Sequence, residues 1–292
     1  MLAVFSIVLF LLPAFSLRMS TSNSMADLSN CTIGFLGCGK ISSAVCRGYA
    51  GAEGKGRPLK INVSKRSSEK SKALQEEYPE LVSICDSNEE LVSSSDIVFI
   101  GLLPGVAREL LPTLPFTEAK TIISMMAAVD YEELLALVKL PTGRVGKTVP
   151  LPAAARRSGP ILSYPPNEYI EETLRVVGKP IVCSKEEDMK PMISLTGHIS
   201  SFFELMRVTQ DWQVDHGVDA ATAKDFVTSF YSSCAQAAVL SEDSFAEMAE
   251  EAATPGGLNE QSWKNLKTTS HFALHEDSLT EILDRLNGKG KK

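Results

Sequence analysis

The stretch Thr32-Ile-Gly-Phe-Leu-Gly-Cys-Gly-Lys-Ile-Ser-Ser-Ala44 decides the fold of this chain. A short β-prone run, Cys31 to Leu36, leads directly into a glycine turn, and a helix-compatible segment follows to Tyr49. The order of strand, tight glycine turn and helix start is typical of a βαβ unit that binds a dinucleotide. The free N–H groups and the positive dipole at the helix start would then face the phosphates.

Three small residues make the turn suitable for this role. Gly37 supplies the tight turn, Gly39 leaves room for a pyrophosphate, and Ser42 lets the helix pack closely on the strand. A lone glycine triplet also fits an ordinary strand-to-helix turn. The residues after the next strand are needed to distinguish such a turn from a dinucleotide-binding one.

The segment after the second predicted strand favours a phosphorylated dinucleotide. Leu59 to Val63 is a strand candidate, and residues 64–68 read Ser-Lys-Arg-Ser-Ser. A unit that binds NAD places an acidic residue about 20 residues after the glycines, whereas this segment holds cations and hydroxyls. Arginine offers a planar fork to a 2′-phosphate. We therefore predict NADP (NADPH) as the cofactor and keep NAD as a second option; a solvated basic loop is the alternative.

Composition and charge exclude several classes of protein. The chain has 292 residues, enough for two domains, and its net charge of −7 argues against a general nucleic-acid-binding role. Its 6 cysteines lack the paired spacing of a zinc site, so we predict no metal. The cysteine pattern fits a reducing compartment.

The N-terminus has the pattern of a targeting segment. Residues 2–15 are almost entirely apolar, which is short for a transmembrane helix but suits a signal-peptide hydrophobic region. A hydroxyl-rich stretch follows without an acid until Asp27, and it resembles the two-part plastid presequences of algae with secondary plastids. We predict a cleaved presequence at 1–28, a plastid location and no stable membrane span in the mature chain. Translation from Met19 or Met25 would give a cytoplasmic protein instead.

Short apolar runs alternate with helical stretches over residues 29–184. The further strand candidates are 81–85, 97–102, 121–125, 143–149, 159–163 and 180–183, and the helix candidates are 68–77, 87–94, 105–111 and 130–139. This alternation predicts a mostly parallel, doubly wound sheet. From residue 185 to 292 the pattern is helical, with candidates at 186–210, 219–241 and 243–252 and shorter ones after Pro255. The fold class is therefore α/β, a Rossmann-like NAD(P)-binding domain followed by an all-α domain.

Four segments together resemble the pyrroline-5-carboxylate reductase family over about residues 31 to 287. They are Gly34-Phe-Leu-Gly-Cys-Gly-Lys-Ile41, Asp96-Ile-Val-Phe-Ile-Gly-Leu-Leu-Pro104, Leu195-Thr-Gly-His-Ile-Ser-Ser-Phe202 and Ala253-Thr-Pro-Gly-Gly-Leu-Asn259. Their order and spacing agree with that family, and so does the segment from His216 to Ala223.

The resemblance implies an NADPH-dependent oxidoreductase of proline biosynthesis, which moves hydride to the C=N carbon of 1-pyrroline-5-carboxylate and forms L-proline. It also implies a homodimer or higher homo-oligomer through the C-terminal helices, with the small-molecule site between the two domains and the partner subunit. Carried over by position, the cofactor contacts are Gly37, Cys38, Gly39, Lys40, Ile41, Ser64, Lys65, Arg66, Asn88, Gly101, Leu102, Pro104, Met125, Met126 and Ala127.

On the substrate side, functional positions depart from the family pattern. Leu103 replaces the lysine of the family's Val-Lys-Pro turn, and residues 146–152 replace its Met-Pro-Asn-Thr-Pro loop without an asparagine. The Pro-Gly-Gly turn 255–257 precedes a predicted helix, whose backbone N–H groups could hold a substrate carboxylate; a plain helix-breaking turn is the alternative. The predicted substrate contacts are Gly256, Gly257, Leu258 and Asn259.

Two polar residues are the candidates for the chemistry itself. Asn259 stands where the family has a threonine that hydrogen-bonds the ring nitrogen, and it keeps both a donor and an acceptor. His198 replaces a small residue of the family pattern and could donate a proton to the reduced nitrogen. A surface histidine satisfied by water is the alternative for His198, and the remaining histidines, at 216, 271 and 275, are interpreted as structural.

Three hypotheses for the function follow from these observations. The first is a divergent pyrroline-5-carboxylate reductase, and the second is an NADPH-dependent reductase of a different imine or carbonyl compound. The third is a catalytically silent NADP-binding dimer that acts as a regulator or scaffold. One polar group in a pocket can change selectivity by orders of magnitude, so the sequence leaves the substrate open.

Overall fold

The computed structural model describes residues 25–66 and 68–289. The predicted presequence, and the plastid prediction that depends on it, lie outside the described residues up to position 24. Its last residues depart from the prediction, because Ala26 and Leu28 are buried and the Leu28 N–H donates to the Lys55 carbonyl at 2.7 Å. The fold therefore includes residues before position 29.

The strands of the sheet lie close to their predicted places. They are β1 Thr32–Leu36, β2 Lys60–Val63, β3 Val82–Ile84, β4 Ile97–Ile100, β5 Thr121–Ser124, β6 Val145–Val149, β7 Pro160–Tyr164 and β8 Lys179–Val182. These strands form one sheet in the order β3-β2-β1-β4-β5-β6-β7-β8. Neighbouring strands are parallel except β6 and β7, which run antiparallel with Val149 opposite Leu162. The prediction of a mostly parallel sheet is confirmed.

Helices follow most of the strands and cover both faces of the sheet. The helices of this first part are α1 Lys40–Ala50, α2 Ser68–Glu77, α3 Asn88–Ser93, α4 Pro104–Leu110, α5 Tyr131–Val138 and α6 Glu168–Arg175. One core includes Phe35 and Phe99, whose rings stack 5.2 Å apart, and Tyr49, which donates to the Thr173 carbonyl at 2.9 Å. A second hydrophobic core, around Leu36 and Ile100, lies on the opposite face of the sheet. Central parallel strands are buried on both faces, which is why they read as continuous apolar runs.

The chain beyond the sheet is helical, as predicted, but its helices divide differently. They are α7 Met189–Thr196, α8 Ile199–Asp215, α9 Ala220–Leu240, α10 Phe245–Ala252, α11 Leu258–Thr268 and α12 His271–Leu286. The single helix predicted over 186–210 is wrong, because the chain breaks at Gly197. A Cβ on Gly197 would lie 2.8 Å from Ile282 Cδ1 of α12, so a side chain there would make Ile282 shift. The helices after Pro255 are also longer than predicted.

In the described copy, these last helices leave much apolar surface uncovered. Phe203 and Trp212 of α8 are 62% and 61% exposed, and Phe226 of α9 is 62% exposed. A stable soluble domain does not usually present so many large apolar side chains to water. The surface therefore has the character of an interface. Among the described helices, none is long and apolar enough to cross a membrane.

Candidate cofactor cleft and active site

Two glycine turns meet at the centre of the sheet. They follow β1 and β4, neighbouring strands from which the sheet extends in opposite directions, and ligands bind at such a switch point in doubly wound sheets. Gly37 has φ of +94°, and a Cβ there would lie 2.5 Å from the Gly101 carbonyl oxygen. A Cβ on Gly101 would in turn lie 2.2 Å from Ser42 Oγ. The second turn therefore leaves no room for a side chain on Gly37, and the first turn of α1 leaves none on Gly101.

Ser64 holds the first turn in place. Its hydroxyl accepts a hydrogen bond from the Gly37 N–H at 3.0 Å, and its carbonyl accepts one from Ser71 Oγ at 2.7 Å. The residue is only 2% exposed. The sequence pointed to Ser64 as a phosphate contact, but in the structure its hydroxyl is engaged with the glycine turn.

A cleft of about 410 Å³ opens beside these turns. Eight residues predicted to contact the cofactor line it together: Gly37, Cys38, Gly39, Ser64, Arg66, Asn88, Gly101 and Leu102. Three apolar residues that were not predicted complete the lining: Leu103, Val106 and Leu110. The other predicted contacts, Lys40, Ile41, Lys65, Pro104, Met125, Met126 and Ala127, do not line the cleft as described and stay predictions.

The start of α1 is open to an anion. Gly39 is the N-cap residue, and a Cβ built on it would have no atom within 4 Å. The first turn of α1 holds no acidic residue. Cys38 directs its thiol into the core, where burial raises its pKa, so the loop presents backbone rather than sulfur to the cleft. The helix dipole and unpaired N–H groups there fit a phosphate.

Lys65 and Arg66, the two cations that follow β2, have different surroundings. Arg66 lines the cleft, whereas Lys65 Nζ lies 3.7 Å from Asp86 Oδ1 in a solvent-exposed pair. Asp86 follows β3 and lies outside the segment 64–68, so the sequence did not indicate it as the partner of Lys65. An exposed ion pair of this kind holds its lysine weakly. Because Arg66 lines the cleft and Lys65 does not, Arg66 is the better placed of the two to meet a 2′-phosphate.

The β4 side of the cleft is apolar. Leu103, at the position where a family lysine was expected, is 76% exposed. Met125 is close to the second turn, with its Cε 3.4 Å from the position that a Cβ on Gly101 would take. The Met126 side chain is buried in the core, so only the backbone of that residue is available to a ligand. This side can shield a ligand from water but offers no charged side chain of its own.

A buried ion pair lies on β6, and sequence reasoning missed it. Lys147 Nζ donates to Glu186 Oε1 at 2.6 Å, and the two side chains are 4% and 21% exposed. The Glu186 carboxylate also accepts from the Tyr131 N–H, at 2.9 Å through Oε2. Glu186 belongs to the segment between β8 and α7. The pair therefore ties the sheet and the start of α5 to the chain that leads into the last helices.

The turn before α11 satisfies its own N–H groups. The Gly256 N–H donates to Glu260 Oε2 at 2.8 Å, and the Gly257 N–H donates to the Thr254 carbonyl at 2.9 Å. Asn259 Nδ2 donates to the Ala252 carbonyl at 3.2 Å, so its amide is engaged within the same turn. Leu258 is 84% exposed. The predicted substrate contacts thus lie together, and they do not line the described cofactor cleft.

His198 lies at the start of α8, beside a second cavity of about 710 Å³. It is 9% exposed, its Nε2 has no hydrogen-bond partner among the described residues, and its ring meets that of His275 edge-on at 4.6 Å. His271 lines the same cavity, together with apolar residues of α8. The sequence did not indicate this cluster because its members are far apart in the chain. His198 does not line the cofactor cleft as described, and its role stays a prediction.

Comparisons with known proteins agree with this architecture. A family model described as NADP oxidoreductase, coenzyme F420-dependent, matches residues 32–128, and one for pyrroline-5-carboxylate reductase dimerisation matches residues 186–287. The second match identifies the C-terminal helices as a dimerisation domain of the pyrroline-5-carboxylate reductase type. The dimerisation match covers the helices whose apolar surface is exposed in the described copy. No match was found among curated proteins.

Several solved structures share the fold of this chain. A 1-pyrroline-5-carboxylate reductase from Streptococcus pyogenes superposes with a TM-score of 0.74 at 19% identity, covering 89% of this chain and 99% of that one. A Plasmodium falciparum pyrroline carboxylate reductase with NADP bound gives 0.72 at 18% identity, covering 90% and 100%. An imine reductase from a Pseudomonas species gives 0.56 at 16% identity, covering 89% and 96%. At these identities the likeness concerns the fold.

Proposed function

We propose that this protein is an NADPH-dependent reductase of the C=N bond of a cyclic imine. The observation that carries the proposal is the pair of interlocked glycine turns beside the open start of α1. A Cβ on Gly39 would fill the space that a pyrophosphate needs, so the residues present fit a dinucleotide. The structural neighbours named as imine reductases and pyrroline-5-carboxylate reductases support the reaction class.

The cofactor proposal depends on Arg66. It is the cation that lines the cleft, and no carboxylate is paired with it in the described part of the chain. A guanidinium can bind a 2′-phosphate through two parallel hydrogen bonds. The Plasmodium falciparum relative was solved with NADP bound, which supports the same choice. NAD remains a second option.

The chemistry requires positioning more than reactive side chains. NADPH supplies a hydride, and the imine carbon receives it while the nitrogen gains a proton. The apolar residues Leu102 and Leu103 can exclude water from the reacting atoms, and orientation alone can lower the barrier substantially. Asn259 is proposed to hydrogen-bond the ring nitrogen, which requires its amide to leave the Ala252 carbonyl. His198 is proposed as a proton donor.

Two candidate substrates remain within this class. The family resemblance supports 1-pyrroline-5-carboxylate, with L-proline as the product and proline biosynthesis as the role. A different imine or carbonyl compound is supported by the self-satisfied turn before α11, where both glycine N–H groups are already bonded. A catalytically silent NADP-binding dimer is the further alternative.

The exposed apolar helices support assembly into a homodimer or larger homo-oligomer. They coincide with the segment that matches the dimerisation model, and the substrate site is proposed to form where this segment meets a partner subunit. The N-terminal segment supports a plastid location behind a cleaved presequence, with the cytoplasm as the alternative.

The function is tested by measuring NADPH oxidation by the full chain, with and without a cyclic imine. We expect oxidation that depends on the imine, using 1-pyrroline and 1-pyrroline-5-carboxylate as the two probes. NADPH fluorescence measures binding separately in the same samples. Tight NADPH binding without oxidation in the presence of either imine or of a carbonyl panel would contradict the proposal and favour the silent dimer.

Replacing Arg66 with alanine is expected to separate NADPH from NADH. The loss of a charge-assisted contact to the 2′-phosphate should weaken NADPH binding by about 10- to 100-fold, with a change in NADH binding of at most about 2-fold. Fluorescence titration with both cofactors measures the effect. Lys65→Ala is the matched control, and we expect a smaller loss because Lys65 does not line the cleft as described. Equal losses for NADPH and NADH in Arg66→Ala would contradict the assignment.

A further inference from the structure

We propose that Asp86 sets the balance between NADPH and NADH, because its carboxylate disfavours the 2′-phosphate of NADPH and accepts a hydrogen bond from the free 2′-hydroxyl of NADH. The inference rests on the proposed function, since it concerns the same cofactor cleft. It makes Asp86 a specificity-determining residue outside the segment that follows β2. It also predicts that the protein binds both cofactors.

The pairing of β2 with β3 brings the two relevant loops together. These strands are parallel, with Val63 opposite Ile84, so the loops that follow them leave the same edge of the sheet. The Cys85 N–H donates to the Val63 carbonyl at 3.0 Å, which extends the pairing to the residue before Asp86. Lys65 Nζ lies 3.7 Å from Asp86 Oδ1. The acidic residue that is missing from the loop after β2 is therefore supplied by the loop after β3.

Both loops border the cofactor cleft. Arg66, the residue after Lys65, lines the cleft, and so does Asn88, two residues after Asp86. The Asp86 N–H donates to Glu90 Oε2 at 2.8 Å, which holds the backbone of this loop against α3. The Asp86 side chain is 96% exposed, and its ion pair with Lys65 is a weak restraint. The carboxylate is therefore free to turn toward a ribose that binds beside Arg66.

The two cofactors differ at the group that this carboxylate would meet. The 2′-phosphate is an anion, so Asp86 repels it and offsets part of the attraction of Arg66. The ion pair with Asp86 also reduces the time for which the Lys65 ammonium is free to meet the phosphate. The 2′-hydroxyl of NADH is a hydrogen-bond donor, and a carboxylate accepts from it more strongly than a neutral oxygen does. Asp86 therefore weakens NADPH binding and strengthens NADH binding.

The test measures the dissociation constants of NADPH and NADH by fluorescence titration of the full chain. In Asp86→Asn, which removes the charge and keeps the shape of the side chain, NADPH should bind about 5-fold more tightly. NADH should bind about 3-fold more weakly, because an amide oxygen is the weaker acceptor. Since the side chain is exposed, thermal unfolding of the variant should match that of the natural sequence.

Two controls tie the effect to this position. Glu118→Gln removes the same charge before β5, at the opposite edge of the sheet, and should leave both dissociation constants unchanged. In a Lys65→Ala background, Asp86→Asn should tighten NADPH binding by about 2-fold instead of about 5-fold, because no lysine is released. Raising the salt concentration should reduce the gain for NADPH, since salt screens exposed charges.

The outcomes separate this inference from the proposed function. Equal changes for NADPH and NADH in Asp86→Asn, no change in either, or a loss of NADPH affinity would overturn the role of Asp86. The natural sequence would in that case still oxidise NADPH when a cyclic imine is present. A natural sequence that binds neither cofactor would overturn the proposed function and this inference with it. Opposite changes for the two cofactors in Asp86→Asn, absent from Glu118→Gln, support the inference.

Discussion

Replacing Gly37 with alanine is expected to abolish measurable NADPH binding and to destabilise the fold by about 2–4 kcal/mol. The backbone at this position has φ of +94°, which L side chains rarely adopt, and the new Cβ would lie 2.5 Å from the Gly101 carbonyl oxygen. Because that oxygen belongs to the backbone of the second turn, no side-chain rotation can relieve the contact. Thermal unfolding and NADPH fluorescence titration measure the two effects.

The matched control for this prediction is Gly39→Ala in the same turn. Gly39 has φ of −75°, and its new Cβ would meet no atom within 4 Å, so the folded state should keep its stability within about 0.5 kcal/mol. The same Cβ would occupy space that the pyrophosphate needs, so NADPH affinity should still fall at least about 10-fold. A Gly39→Ala variant that binds NADPH normally would show that the phosphates lie elsewhere.

The contrast between these glycines illustrates what the sequence can predict. The strand, glycine turn and helix are encoded within 13 contiguous residues, so local pattern was sufficient to find them. The contact between Gly37 and Gly101 was not predictable in this way, because the sheet brings together turns that are distant in the chain. The hydrogen bond from the Gly37 N–H to Ser64 was likewise not predictable, since it forms only after β1 and β2 pair.

The strands were predictable for a related reason. The buried parallel strand β4 is an unbroken apolar run, and the equally buried β5 has two isoleucines at its centre, so both are visible in the sequence. Helix α6 was missed because only a few residues, among them Ile170 and Leu174, mark its buried face. The break at Gly197, the C-cap residue of α7, was missed although glycine near the end of a helical segment is a common stop signal.

The substrate side of the site was the least predictable part. The sequence located the turn before α11, but not that Glu260 bonds back to Gly256. It singled out His198 without its neighbours His271 and His275, which a later helix brings to the same cavity.

Breaking the ion pair between Lys147 and Glu186 is expected to give a second large effect, in this case on stability. Glu186→Gln should lower the free energy of unfolding by about 3 kcal/mol, because it leaves the Lys147 cation, with only 4% of its side chain exposed, without a charged partner. Lys147→Met should have a smaller effect, about 2 kcal/mol, since Glu186 is more exposed and keeps its hydrogen bond from the Tyr131 N–H. Denaturant unfolding measures both.

The double variant Lys147→Met with Glu186→Gln separates the cost of an unpaired charge from the value of the pair itself. A buried ion pair often contributes little net stability, because desolvation offsets most of the attraction. We therefore expect the double variant to recover to within about 1 kcal/mol of the natural sequence and to be more stable than Glu186→Gln alone. Additive losses would mean that the two side chains are not coupled and would contradict this account of the pair. Since Glu186 lies between the sheet and α7, the single variants should also raise KM for the imine more than they weaken NADPH binding.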